Sequence, residues 1–321
     1  LGFVSPRMGS VETAVLLLFP GQGSQKVGMG RHLWEEYPQA EATFAEAEEL
    51  LEWDLRKLCA EGPQEELTRT DKAQPAIFVT GVAAYRVLRD LGLSFDVAAG
   101  HSLGEYGALV ASGQLTFADA LTVVAARGKA MWRCGLEQSG TMAAIVGLDE
   151  AEVEAICAVV EGAWPANYNS PGQVVVSGSR EGVERAMAEA RERGAKKVLP
   201  LAVSGAFHSP LVAGAAKELA EVLDRVQVRE AVGARFFSTI EVRYPDVSEI
   251  REILVRQLTM PVKFTQSLRV LLKEESAAVE TGPGTVLAGL VKRIDRRFPV
   301  YSADDRESLA AVPVGDGGTS R

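Results

Sequence analysis

Cysteine is scarce. The chain of 321 residues carries three, Cys59, Cys134 and Cys157, and no two of them form a C-x-x-C pair. An odd, unpaired set excludes a disulfide framework and fits a reducing compartment, so a cytoplasmic protein is expected. Long apolar runs are missing too. A membrane-spanning helix needs roughly 20 apolar residues, and the longest early run covers only residues 14–19. That run lacks a basic leader and an Ala-x-Ala exit, which makes it a poor signal peptide and a good buried strand. Positive charge is in deficit: 34 Lys and Arg stand against 43 Asp and Glu, a net charge of -9. A general nucleic-acid binder has the opposite balance. HExxH and GxxxxGK[ST] are absent. His32, His101 and His208 show no metal-ligand spacing, alone or with the cysteines. Gly21-Gln22-Gly23 lacks the third glycine of a dinucleotide fingerprint.

What is present is an ordinary globular composition, 47% apolar and 24% charged, with length for one large domain or two modest ones. Short apolar strands alternate with helical periods. Val15–Phe19 reads as a strand, residues 39–51 and 75–91 as helices, 95–100 as a strand, and 103–111 and 119–132 as helices. This alternation predicts an α/β fold with a largely parallel sheet. Residues 139–201 have another rhythm, β-α-β-β-α-β, the ferredoxin-like order, with two strands bracketing Pro171-Gly172. The expected architecture is therefore a hydrolase-like large domain, 11–138 and 202–310, interrupted by a ferredoxin-like subdomain at 139–201. In the second part, helices are expected at 210–225, 247–258, 264–273 and 284–297, and strands at 234–238, 277–280 and 299–301. Residues 1–10 and 311–321 are expected to be flexible ends, with fraying from about 304.

Gly100-His101-Ser102-Leu103-Gly104 matches G-x-S-x-G between a strand and a helix, the context in which the pattern means a nucleophile elbow. A serine there sits at a helix N-terminus, where free N–H groups favour negative charge. The same residues also read as a capping box, Ser102-x-x-Glu105, in which the serine only caps a helix. A nucleophilic serine needs a base. His208 follows a strand and precedes a helix, a place suited to a loop residue that pairs with Ser102. His101 reads as a structural histidine and His32 as a surface one. Between Ser102 and His208 the acids, Asp119 and Asp149 among them, lie mostly on helical faces, and none is placed to orient the base. Arg127 alone reads as a basic residue near a helix end.

Further segments complete a pattern: Phe19-Pro20-Gly21-Gln22-Gly23-Ser24-Gln25, Gly104-Glu105-Tyr106, Arg127-Gly128, Asn167-Tyr168-Asn169-Ser170-Pro171-Gly172-Gln173, Phe207-His208-Ser209, Val255-Arg256-Gln257-Leu258 and Glu280-Thr281-Gly282-Pro283-Gly284. Over about residues 14–310 the chain resembles the malonyl-CoA:acyl carrier protein transacylases of type II fatty-acid synthesis. The resemblance implies roles. Ser102 would be the nucleophile and His208 the general base. Gln22 and Leu103 would offer backbone N–H groups to the oxyanion. Arg127 would bind the malonate carboxylate, and Phe207 would fill space near its α-carbon. Gln257 would hold His208 through its main-chain carbonyl, which makes an orienting acid unnecessary. It also implies ping-pong transfer from malonyl-CoA to the phosphopantetheine thiol of acyl carrier protein, with no metal and no bound cofactor; separately, a monomer is expected. An acidic carrier would need a local basic surface, for which Lys196-Lys197, Lys292-Arg293 and Arg296-Arg297 are candidates. Two other readings stand beside this one: a serine hydrolase sending the acyl group to water, and a non-enzymatic scaffold.

Overall fold

The computed structural model describes residues 14–203 and 205–314. In chain order its strands are β1 (Val15–Phe19), β2 (Val97–Gly100), β3 (Gly140–Val146), β4 (Ala163–Ser170), β5 (Gln173–Ser179), β6 (Lys197–Pro200), β7 (Arg235–Phe237), β8 (Ala277–Glu280) and β9 (Val300–Ser302). Two sheets result. The first runs β7-β2-β1-β8-β9 and is parallel throughout. Every residue of β1 is buried, because helices cover both faces of the sheet. Val15, Leu17 and Phe19 join a core with Ile77, Tyr106 and Leu121. Leu16 and Leu18 point the other way, into a second core with Phe264, Leu268 and Leu287. Two-sided burial is why β1 reads as an unbroken apolar run instead of an alternating one.

The second sheet is antiparallel, in the order β4-β5-β3-β6. With helices Glu150–Val159 and Arg180–Glu192 it has the expected ferredoxin-like element order. Its strands alternate in what they serve. Ala143, Ile145, Val174 and Val176 pack with these two helices. Met142, Ala144, Ala166 and Val175 face the other way and enter the core of the large body. Backbone hydrogen bonds lace the two units together: Tyr168 N donates to Val262 O (2.8 Å) and Val262 N to Ala166 O (2.9 Å). Residues from both units thus face a common cleft.

The strands and the long helices fall where the apolar pattern placed them, but several short helices do not. Helices Arg31–Glu36, Leu55–Glu61 and Gln64–Thr68 are too brief to carry a readable period. Helix Thr70–Asp90 begins before its apolar stripe, with Pro75 inside it. His32 is half-buried, not a surface residue. The expectation of fraying from about 304 is corrected. Asp305 caps helix Arg306–Ala310 by accepting from Ser308 N, and Ser308 Oγ answers its backbone N–H. Leu309 within this helix and Val312 beyond it are buried, and Arg306 pairs with Glu36. Of the expected flexible ends, 1–10 and the 315–321 part of 311–321 lie outside the described residues. No described helix is long and apolar enough to cross a membrane.

Removing the carboxylate in Asp305→Ala should lower stability by about 1 kcal/mol. A urea denaturation midpoint identical to that of the unaltered chain would show that this terminal helix contributes nothing.

Candidate active site

The site forms where β1 and β2 end. Parallel α/β sheets place ligands at the carboxyl ends of their strands, because the loops there are the ones free to diverge. His101 N donates to Phe19 O (3.0 Å), continuing the pairing of β1 and β2 for one more residue. The chain then turns sharply through Ser102, whose φ of 52° is left-handed, into helix Gly104–Ala111. The two motif glycines permit this turn. A Cβ on Gly100 would lie 2.0 Å from Gly104 C, and one on Gly104 would lie 1.9 Å from Phe19 O. Both obstacles are backbone, so neither can yield.

The capping-box reading of Ser102-x-x-Glu105 is corrected, since the helix has no side-chain cap. Ser102 Oγ lies instead 2.9 Å from His208 Nε2, and Arg127 Nη2 donates to it at 3.0 Å. Glu105 turns inward to Thr239 and Gln257. His208 is buried, with a φ of 57°. Its Nδ1 lies 2.8 Å from Gln257 O and 3.1 Å from Met260 O. Carbonyls only accept, so this network assigns the proton to Nδ1 and leaves the Nε2 lone pair facing the serine hydroxyl. Burial, and then the Arg127 charge, push the imidazole down to about 3. It therefore stays neutral and able to take a proton.

Arg127 is only 1% exposed. Its Nη1 donates to Gln74 Oε1 (2.7 Å), and its Nη2 to Gln257 Oε1 (3.0 Å) as well as to Ser102. The Tyr106 ring lies 5.7 Å away. Its Nε–H has no acceptor among the described residues, and every acceptor it does meet is neutral. A guanidinium buried among amides and a hydroxyl is suited to an incoming carboxylate.

A cavity of about 360 Å³ opens over these groups, lined by Gln22, Ser102, Leu103, Arg127, Phe207 and His208 and by residues of the small sheet. The backbone N–H groups of Gln22 and Leu103 donate to nothing among the described residues, so both are free for an oxyanion. Phe207 joins Met131, Met142 and Leu201 in the apolar wall. All seven site residues expected from the sequence, Gln22, Ser102, Leu103, Arg127, Phe207, His208 and Gln257, thus meet in or beside one cavity. None of the basic residues Lys196, Lys197, Lys292, Arg293, Arg296 or Arg297 lines it. The sequence did not point to Gln74 or Thr239, it gave Asn169 no role within its motif, and it misplaced Glu105. Asn169 Oδ1 meets His101 Nε2 at 2.8 Å, holding that ring against Phe264. Isolated polar residues such as Gln74 and Thr239 carry no period or spacing that would mark them. Among the described residues no group of three or more His, Cys, Asp or Glu is arranged to hold a metal ion.

Comparison with known proteins agrees with this geometry. Residues 16–314 match the model of the acyl transferase domain family. The chain belongs to this acyl transferase family. This acyltransferase is 43% identical to a malonyl CoA-acyl carrier protein transacylase of Bacillus subtilis, over 92% of its own chain and 95% of that protein. It is 42% identical to the protein of that name in Escherichia coli K12, over 94% and 99%. Among solved structures it resembles an acyl carrier protein S-malonyltransferase from Vibrio cholerae, with a TM-score of 0.89 and 40% identity over 94% of this chain and 100% of that one. It also resembles a malonyl transacylase in complex with a type II polyketide synthase acyl carrier protein, with a TM-score of 0.89 and 39% identity over 93% and 98%.

In this acyltransferase the ring carbons of His208, followed by NMR in histidine-labelled protein, should keep the pattern of a neutral Nδ1–H imidazole from about pH 8 to about pH 5, well below where a free histidine titrates. A midpoint near the ordinary histidine value would contradict the burial argument.

Proposed function

We propose that this acyltransferase carries the malonyl group from malonyl-CoA to the phosphopantetheine thiol of acyl carrier protein, through a malonyl ester on Ser102. The observation that carries the reading is Arg127: a buried guanidinium that meets only neutral acceptors, 3.0 Å from the serine oxygen. It marks the acyl pocket as one for an acyl group with a free carboxylate. A plain acyl chain would leave the charge unpaired, and an unpaired buried charge is costly.

The steps follow from the atoms in place. Malonyl-CoA enters with its carboxylate on Arg127 and its thioester carbonyl against the N–H groups of Gln22 and Leu103. Ser102 Oγ attacks the carbonyl carbon, and its proton passes to His208 Nε2. The tetrahedral oxyanion is held by the two backbone donors. Its collapse breaks the C–S bond, and CoA leaves as a thiol with the proton from His208. The phosphopantetheine thiol then enters, gives its proton to His208 and attacks the ester, and Ser102 leaves as a hydroxyl. This is ping-pong covalent catalysis. The serine, the imidazole and the two thiols account for every bond and proton, so no metal or bound cofactor has a part. Gln257 O holds His208 in the required tautomer, a role often given to an acid. A carbonyl does this without placing another anion beside the substrate carboxylate. Phe207 is read as bulk at the wall that limits substitution on the α-carbon.

Every reacting side chain comes from one chain, which supports action as a monomer. Three cysteines left as free thiols support a reducing, cytoplasmic setting. The reading also treats 139–201 as an insert that walls the cleft, set into a body formed by 11–138 and 202–310. Carrier docking is assigned to one end of the small sheet. There Lys197 pairs with Val146, Val146 pairs with Gln173, and Arg293 donates to the Gln173 side chain. Lys197 and Arg293, one from each basic cluster, so lie near each other, which supports docking of an acidic partner there.

Two measurements test this. Mixed with malonyl-CoA, the protein should gain the mass of one malonyl group on Ser102, which holo-acyl carrier protein discharges much faster than water does. Rapid release to water with no carrier would favour the hydrolase instead. Charge reversal of Lys196, Lys197 and Arg293 together should slow discharge to the carrier and spare acylation by malonyl-CoA. Unaltered discharge would contradict this docking surface.

A further inference from the structure

Glu105 has no part in the reaction above, yet it lies at the centre of the network that holds the site. It is fully buried, in the helix that starts at the Ser102 elbow. Its Oε1 accepts from Thr239 N (2.6 Å) and Thr239 Oγ1 (2.9 Å). Its Oε2 accepts from Gln257 Nε2 (2.5 Å). That amide nitrogen also donates to Ser102 O (3.1 Å), while Gln257 Oε1 accepts from Arg127 Nη2 (3.0 Å).

An amide has two ends of opposite sense, and both oxygens of Glu105 act here as acceptors, from Thr239 and from Gln257. With Glu105 on one side, Gln257 must turn its nitrogen toward that carboxylate and so its oxygen toward Arg127. We propose that Glu105 is a positioning residue for acyl specificity, fixing the Gln257 amide so that its oxygen holds the Arg127 guanidinium toward an incoming carboxylate. The inference rests on Arg127 as the malonate site. Its distance is part of its role. A carboxylate in direct contact with Arg127 would form a forked pair and occupy the donors that the substrate needs. One amide away, the charge still balances a buried cation and leaves those donors to the substrate. Thr239, fixed at the end of the strand beside β2, anchors the far side of the carboxylate and keeps the amide from turning over.

Glu105→Gln keeps the shape and breaks the relay. The new amide oxygen can serve Thr239, but its NH2 then meets the NH2 of Gln257. If Gln257 turns over to escape, it presents a donor to Arg127 and abandons Ser102 O. Either arrangement leaves a buried donor unsatisfied. The test compares kcat/KM for malonyl-CoA and acetyl-CoA in the full-length wild type, Glu105→Gln and Glu105→Asp, with thermal melts alongside. The wild type should prefer malonyl-CoA. In Glu105→Gln that preference should fall roughly tenfold or more, the scale of one misplaced buried hydrogen bond. Glu105→Asp keeps the accepting charge and should hold an intermediate preference. A residue that only supported the fold would lower both substrates together. A wild-type preference that survives unchanged in both variants, or in Glu105→Asp if the Gln variant does not fold, would overturn this inference alone. A wild type with no preference would overturn the reading of Arg127 and this inference with it.

Discussion

A cation buried without a carboxylate in contact is the constraint on which the site depends. Taking a guanidinium out of water costs several kcal/mol unless its donors are met. Here Gln74, Gln257 and Ser102 meet the two Nη groups with neutral oxygens, Nε–H has no acceptor among the described residues, and the Tyr106 ring lies alongside. That arrangement holds the charge while leaving it electrostatically hungry. Much else follows. Burial, and then that charge, keep the resting His208 neutral, with its Nε2 lone pair toward Ser102. Its orientation comes from carbonyls, so the anion nearest Arg127 can be the substrate. Glu105 stands back behind an amide. Burial raises its carboxyl to about 7 against the opposing pull of Thr239, Gln257 and Arg127.

The fold supplies rigid supports for each of these groups. Ser102 stands at the end of β2, on a turn that only glycines at 100 and 104 allow. Gln22 comes from the loop after β1, the neighbouring strand. Arg127 projects from the long helix Phe117–Glu137, and Gln257 lies at the end of helix Ile250–Arg256. His208 enters as the chain returns from the small sheet. That sheet gives one face to its own helices and the other to the cleft, so a unit with its own core also serves as a wall of the pocket.

How much of this the sequence disclosed depends on whether a feature is local. The elbow is local, a strand, a tight turn and a helix in one short segment, and it could be read directly. Strands β1 to β9 and the long helices could be read for the same reason. The sheet order β7-β2-β1-β8-β9 could not, since it joins strands far apart in sequence. His208 could be suspected only as a partner for Ser102. Arg127, taken alone, is a basic residue on a helix, and only resemblance gave it a role. Glu105 was the most misleading. Its spacing from Ser102 imitates a helix cap, and nothing near it in sequence shows that Thr239 and Gln257 will claim it. The helix Arg306–Ala310 was missed because a single capped turn leaves no period, although Asp305 carried the capping signal.

The most direct test of the account is the acyl preference of Arg127→Ala. With the guanidinium gone, acylation of Ser102 by malonyl-CoA should fall by orders of magnitude while its relative activity on acetyl-CoA rises, so that the preference reverses. Equal loss on both substrates would contradict the account, because Arg127 would then be part of the scaffold and not the group that recognises a carboxylate.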